Sequence, residues 1–311
     1  MTADRTSSET PEVPEIPEPP VTRDDLAVLM TVYHRVDQRH LSEALESLWA
    51  QTVRAGRVVL VSDGPLTPGL DAVIERHAAD HPELDYRPQA ENRGSGPASQ
   101  TGLELIDEEW CARLDADDIA EPGRFEAQLR VADGEAGPSS SQNQSSKNLP
   151  SETPDVIGTA VAEFDDERDG EITGIRALPE SHEAIAKYAR MNSPVNHPSV
   201  MFRTARVKKV GGYRDAPYIE DYDLWARLLA DGARFVNLPE PLTRFRVTGM
   251  LDRRRSTGIA ASEKRMQATL VEMGLVSRPR AAFNFIARSA FRALPTGLLG
   301  RAYRALFHRR R

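Results

Sequence analysis

Cysteine is nearly absent. Cys111 is the single one in 311 residues, which excludes an internal disulfide scaffold and any zinc site built on paired cysteines. It fits a reducing compartment. Long apolar stretches are missing too. No window reaches the roughly 18 uninterrupted apolar residues that a bilayer span needs. The N-terminus lacks the apolar centre of a secretory signal, so export by that route is not expected. Positive charge is in the minority: 47 acidic residues oppose 40 Lys and Arg, a formal net charge of -7. That average field argues against nucleic acid as a partner. What remains is an ordinary soluble composition, 40% hydrophobic and 28% charged. It is enough to bury a core as one large domain or two small ones.

The charge is unevenly spread. Residues 1–25 carry seven acids against Arg5 and Arg23, whereas residues 278–311 carry nine arginines and no acid. Residues 1–22, rich in Pro, Glu, Ser and Thr, read as disordered. The polar run Ser139–Ser146 marks a surface insertion over 133–154. Residues 257–273 and 279–308 read as helical. The latter intersperses Phe283, Phe285, Ile286, Phe291 and Leu294 with Arg288 and Arg292. Such a basic amphipathic stretch predicts peripheral membrane contact through 278–311, at the inner face of the cell membrane. The alternative is a helix packed on its domain with a solvated arginine face.

Between these ends, apolar runs alternate with helical spacing. Leu26–Val32, Arg57–Asp63 and Trp110–Leu114 read as strands, with a short one near Leu84–Arg87. Helices are expected at 40–51, 69–79 and 97–107. This βαβ alternation implies an open, mostly parallel α/β sheet flanked by helices. In the second half, strands are expected at Val156–Phe164 and Ser199–Phe202, with a final pair at Ala233–Asn237 and Leu242–Val247. Helices are expected at 181–190 and 220–231, the latter stopped by Gly232.

Ligands of such sheets sit beyond the carboxyl ends of the strands, where several acids fall. Asp115 and Asp117 follow the Trp110–Leu114 run two residues apart. In extended geometry their side chains point the same way. Hard divalent cations take such oxygens together with phosphate and water. Asp118 ahead of a helix would alternatively serve as an N-cap. Glu220, Asp221 and Asp223 crowd one turn at the start of a helix. The dipole favours them there, and a carboxylate so placed can act as general base toward a hydroxyl. Trp225 would anchor that helix. Asp63 either accepts hydrogen bonds from a base or ribose, or opens the Asp-Gly-Pro turn. Arg93, in the Gly-rich loop Asn92–Gly96, faces either a phosphate or Asp115. His197 in Asn196–Ser199 is either catalytic or structural.

Together these segments resemble family 2 glycosyltransferases of the GT-A fold. The matching pieces are Thr31–Arg35, Ser62–Gly64, Asn92–Gly94, Asp115–Asp118, Asn196–Phe202 and Glu220–Trp225, in the family's order over residues 26–250. The Asn-His-Pro-Ser segment is similar to the subgroup that builds bacterial polysaccharide and cell-wall glycans. The resemblance implies that Thr31, Tyr33 and Arg35 line a nucleotide pocket with Asp63 on the base, and that Arg93 positions the nucleotide. Asp115 would meet the ribose or metal waters. Asp117 would be the principal ligand of Mn2+ or Mg2+. Asp221, with Glu220 beside it, would deprotonate the acceptor. His197, Trp225 and Arg246 are implied near the acceptor or diphosphate. The implied partners are a nucleotide-sugar donor, UDP or dTDP, and a glycan or lipid-linked acceptor. The implied reaction is one inverting transfer. The His that joins the metal shell of many relatives is missing from Arg244–Met250, and the Gln-x-x-Arg-Trp motif of processive relatives is absent. A nucleotidyltransferase and a catalytically inactive scaffold are the competing readings.

Overall fold

The computed structural model describes residues 20–135, 153–247 and 258–293. Most of the expected disordered segment 1–22, most of the 133–154 insertion and the tail after 293 lie outside the described residues. Strand β1 (Val21–Val32) starts before the apolar run at Leu26 and takes in two residues of the segment expected to lack structure. Its side chains alternate between two cores. Leu26, Val28, Met30 and Val32 enter one, and Ala27 and Leu29 the other. β2 (Val53–Ser62) repeats this with Val58 and Leu60 opposite Val59 and Val61. A strand covered on both faces requires such continuous apolar runs.

The first face is covered by α1 (Gln38–Trp49), capped by Asp37, and α2 (Pro68–Asp80), capped by Thr67 with a proline in its first turn. The other face is covered by α3 (Ser95–Glu104) and helices of the second half. Strands β3 (Leu84–Pro88), β2, β1 and β4 (Trp110–Arg113) are parallel. The chain winds outward from β1 to β3 and then returns to the opposite side of β1 for β4. That reversal makes a topological switch point at the carboxyl ends of β1, β2 and β4, where sheets of this kind take their ligands.

The second half adds mixed pairing. After β5 (Ile119–Ala120) and α4 (Arg124–Ala132) come β6 (Val156–Asp165), β7 (Glu171–Arg176), α5 (His182–Tyr188), β8 (Met201–Arg203), α6 (Thr204–Lys209), α7 (Glu220–Ala230) and β9 (Phe235–Arg246). The nine-stranded sheet runs β3-β2-β1-β4-β8-β6-β9-β5, with β7 also paired to β6. β8 is antiparallel to β4 and β6, and β9 is parallel to β6. The expected pair of strands over 233–247 is therefore one strand. Pro239 and Pro241 fall between the two expected strands, and register shifts against Thr159–Val161 absorb them as bulges. Helices α8 (Ile259–Glu272) and α9 (Arg278–Arg292) pack on α7 through a separate cluster containing Ile219, Tyr222, Met266 and Leu270. Among the described residues no helix is long and apolar enough to cross a membrane.

One buried cation joins β4 to the turn before β8. Arg124 is fully buried and donates to the carbonyls of Arg113 (2.7 Å), Pro198 (2.9 Å) and Val200 (3.2 Å), and to Gln128 Oε1 (3.1 Å). Burial pushes its pKa down only to about 9, so it stays charged at neutral pH. Arg124→Met strands these acceptors in a dry interior and should lower the unfolding free energy by about 3 kcal/mol. Urea unfolding measures this, and a loss below about 1 kcal/mol contradicts the assignment.

Candidate active site

The ends of β1 and β2 are tied first. The Asp63 N–H donates to the Val32 carbonyl at 2.8 Å. The Asp63 carboxylate accepts from the backbone N–H groups of Arg93 (2.6 Å) and Gly94 (2.9 Å), and Asn92 Nδ2 donates to the Asp63 carbonyl at 3.0 Å. Gly64, at φ 83°, lies against this loop, and a Cβ there would sit 2.7 Å from the Asn92 nitrogen. Only glycine fits where two turns touch so closely. Asp63 thus clasps the Gly-rich loop and is buried. Thr31 and Tyr33 are partly exposed at the end of β1, and Arg35 is exposed in the turn that follows. The Arg93 side chain is exposed as well. The arginine beside Asp115 is instead Arg113.

Beyond β4, Asp115 and Asp117 keep partial exposure, while Ala116 and Asp118 between and after them are buried. Asp118 turns inward and accepts from the Arg246 N–H at 2.8 Å. Burial, with the charges of Asp117 and Asp115, holds its pKa well above the usual range. It precedes β5 rather than a helix, and the N-cap of α4 is Gly123. Helix capping therefore explains none of these aspartates. Arg113 is fully buried, with Nη2 3.4 Å from Asp115 Oδ1 and its guanidinium 5.8 Å from the Tyr213 ring centroid. His197 places Nδ1 3.7 Å from the same Asp115 oxygen and Nε2 3.1 Å from the Tyr213 hydroxyl. Burial, then the Arg113 charge, pushes the His197 pKa well below its ordinary value, so the ring is neutral. Asn196 and Ser199 fix this turn by donating to the Thr159 carbonyl at 2.8 and 3.1 Å.

The opposite wall is the start of α7. Asp221 Oδ2 accepts from Ser193 Oγ at 3.2 Å. Burial, then the neighbouring Glu220 charge, pushes the Asp221 pKa up to about 7. Glu220 is also raised, chiefly by burial, and a hydrogen bond from Ser95 at the start of α3 opposes the rise. The Asp115 charge raises both, so the two walls share one electrostatic environment. Gly96 permits this approach: a Cβ there would lie 2.4 Å from the Arg214 carbonyl oxygen and 3.4 Å from the Glu220 Cβ.

Two residues expected at a ligand lie elsewhere. Trp225 is fully buried, packed with His197, Phe202 and Phe235 at ring-centroid distances of 6.3, 6.4 and 6.4 Å, and anchors α7. Arg246 is buried with every guanidinium nitrogen engaged: Nε on the Asp117 carbonyl (2.8 Å), Nη2 on Glu43 (2.7 Å) and Nη1 on Asp166. It fixes the Asp117 backbone from behind, with each guanidinium nitrogen already turned to a protein oxygen. Arg113, Tyr213 and Ser193 were missed from the sequence. Only Arg113 carried a signal, sharing strand parity with Asp115.

The donor set suits one cation shared with a phosphate ligand. Among the described residues no three His, Cys, Asp or Glu side chains are arranged to hold a metal by themselves. Two carboxylates two residues apart fit an ion such as Mn2+ or Mg2+ that takes one or two protein oxygens and completes its shell from phosphate and water.

Residues 27–142 match the family model described as Glycosyl transferase family 2. A glycosyltransferase of Haemophilus influenzae is 36% identical over 285 residues, covering 91% of this chain and 99% of that protein. The chain belongs to glycosyl transferase family 2. The transferase is also 33% identical to the amylovoran biosynthesis glycosyltransferase AmsE of Erwinia amylovora, over 88% of this chain and 96% of that one. An Escherichia coli UDP-Gal:alpha-D-GlcNAc-diphosphoundecaprenol beta-1,3-galactosyltransferase is 31% identical, over 91% and 96%. Its fold matches S. aureus TarS 1-349 in complex with UDP at TM-score 0.58 and 15% identity, over 90% of this chain and 78% of that one. It matches a Pyrobaculum calidifontis mannosyltransferase in complex with GDP-Man and Mn2+ at TM-score 0.55 and 18% identity, over 92% and 82%. These are GT-A enzymes, and the transferase has the GT-A fold. Family membership sets aside the nucleotidyltransferase reading.

The raised pKa of Asp221 fixes the sign of one pH effect. Stabilisation from this group is complete below its ordinary value of 3.8 and is lost as pH rises through about 7. Asp221→Asn removes that cost. The variant should melt above the wild type at about pH 8, with a gap that shrinks toward about pH 4. Calorimetry at both pH values is the check, and a pH-independent gap contradicts a buried, raised Asp221.

Proposed function

We propose that the transferase moves one sugar from a nucleoside-diphosphate sugar to a hydroxyl of a glycan or lipid-linked acceptor, with inversion at the anomeric carbon. The observation that carries this reading is Asp221. It is a carboxylate at the start of α7, held by Ser193 at 3.2 Å, brought to about 7 by burial and within the field of Asp115 across the site. A base with a pKa near the working pH is half ready to accept a proton and strong enough to take one. The acceptor oxygen attacks the anomeric carbon as its proton passes to Asp221. The bond to the diphosphate oxygen breaks on the opposite face, and the nucleoside diphosphate leaves. One such displacement inverts the carbon.

Asp117, with Asp115, would hold Mn2+ or Mg2+, whose contribution is to neutralise charge on the departing diphosphate. Neutral His197 and the Arg113 guanidinium hold the Asp115 carboxylate from below. Thr31, Tyr33, Arg35, Asp63 and Arg93 would surround the nucleotide at the switch point. A uridine donor is supported by the UDP-Gal in the name of the E. coli relative, and dTDP fits the same reading. The diphosphoundecaprenol in that name and the amylovoran in that of AmsE support a lipid-linked acceptor in bacterial polysaccharide synthesis, at the inner face of the membrane.

Thermal shift with UDP and Mn2+, paired with transfer from UDP-sugars to a synthetic GlcNAc-diphospholipid, tests this. Asp117→Ala should lose the Mn2+-dependent part of the shift and transfer together. Asp221→Asn should keep the shift while transfer falls by about 10²- to 10⁴-fold. Wild-type kcat should rise with pH through about 7, because Asp221 must be ionised to act. Retained transfer in Asp221→Asn rejects the base assignment, and a wild type inactive on every donor returns the inactive scaffold.

A further inference from the structure

Helix α9 has its polarity reversed. Toward the domain it presents polar groups. Asn284 Nδ2 donates to the Arg190 carbonyl at 2.7 Å, and Arg288 Nη1 to the Met191 carbonyl at 2.8 Å. Arg288 Nε and Arg292 Nη2 both reach the buried Glu263 carboxylate at 2.8 Å. Toward solvent it presents Pro279, Ala282, Phe283, Ile286, Ala290 and Ala293, all exposed. Phe283 is 58% and Ile286 66% exposed. At 100° per residue these six fall in one arc of about 100°. A helix that only packs on its own domain turns its charged side outward. The solvated arginine face expected under that alternative is not what α9 shows, since two of its four arginines are spent on Glu263.

The rims of the stripe are cationic. Arg278 and Arg280 are exposed, and Arg280 lies 5.5 Å from the Phe283 ring centroid. From Arg278 to the end of the chain there are nine arginines and no acid. Cations flanking an apolar stripe complement a surface that is apolar beneath and negatively charged above.

We propose that the outward face of α9 seats on an anionic phospholipid bilayer, with Phe283 and Ile286 at the acyl boundary and Arg278 and Arg280 among the headgroup phosphates. What this contact serves rests on the proposed lipid-linked acceptor. Arg288 Nη1 also donates to Asn192 Oδ1 at 3.2 Å, one residue from the Ser193 that holds Asp221. The docked face is therefore braced directly against the segment that positions the base.

Co-sedimentation of the full chain with phosphatidylcholine vesicles, with and without about 30% phosphatidylglycerol, tests the proposal. The wild type should pellet with the anionic vesicles and be released by salt. The double variant Phe283→Ser/Ile286→Ser should bind them about tenfold less or weaker, with its melting temperature and UDP–Mn2+ shift unchanged. Arg278→Gln/Arg280→Gln should cost about fivefold or more on anionic vesicles only. Three results overturn the proposal: a wild type that stays in the supernatant, a Phe283/Ile286 variant that pellets like the wild type, or a soluble dimer that the same variant dissociates. If vesicle binding behaves as stated while no sugar is transferred, the enzymatic reading fails and the membrane face stands.

Discussion

One buried guanidinium ties together the segments that carry Asp115 and His197. Arg124 gathers the carbonyls of Arg113, Pro198 and Val200, and so binds the end of β4 to the turn carrying His197 and to the entry of β8. The four-residue β4 ladder reaches the same region, where the Arg113 N–H donates to the Val200 carbonyl at 2.8 Å and β4 pairs with β8, and Arg124 adds the side-chain clasp across all three segments. A charged hydrogen-bond donor held in a dry interior has a steep cost when misplaced. The arrangement is consequently narrow: the carbonyls must be where the fork of the arginine can reach them. Once they are, Asp115 emerges at a defined point with Arg113 on one side and His197 on another.

A second constraint is the density of acids. Asp115, Asp117, Asp118, Glu220 and Asp221 cannot all be ionised in a closed space at no cost. The fold resolves the crowding by giving them unlike surroundings. Asp118 is withdrawn and held toward its neutral form, Asp221 is raised to about 7, and Asp115 keeps a cation at its side. Divergent environments for neighbouring carboxyls are what separate a proton acceptor from a ligand. The assignment of work among the acids follows from burial more than from residue type.

Much of this was legible in the sequence, and the exceptions have a common cause. The doubly covered strands were visible as unbroken apolar runs, and Asp63, Asp115 and Asp117 as acids placed just beyond them. The start of α7 was visible from its spacing. What could not be read were roles that depend on strands distant in sequence. Arg246 looked available for a diphosphate because nothing local shows that β9 runs through two prolines alongside β6 and delivers it to Asp166, Glu43 and the Asp117 carbonyl. Tyr213 and Ser193 lie in irregular segments and meet the site only through tertiary packing. The arginines of α9 were counted correctly but not oriented. A sequence total cannot distinguish those paired with Glu263 from those at the surface.

The brevity of β4 carries a consequence of its own. Side chains on a strand alternate, so sliding β4 by one position would exchange Arg113 and Asp115 for their apolar neighbours. A chain caught in that misalignment would be compact yet would turn apolar side chains to the place where the acids now stand.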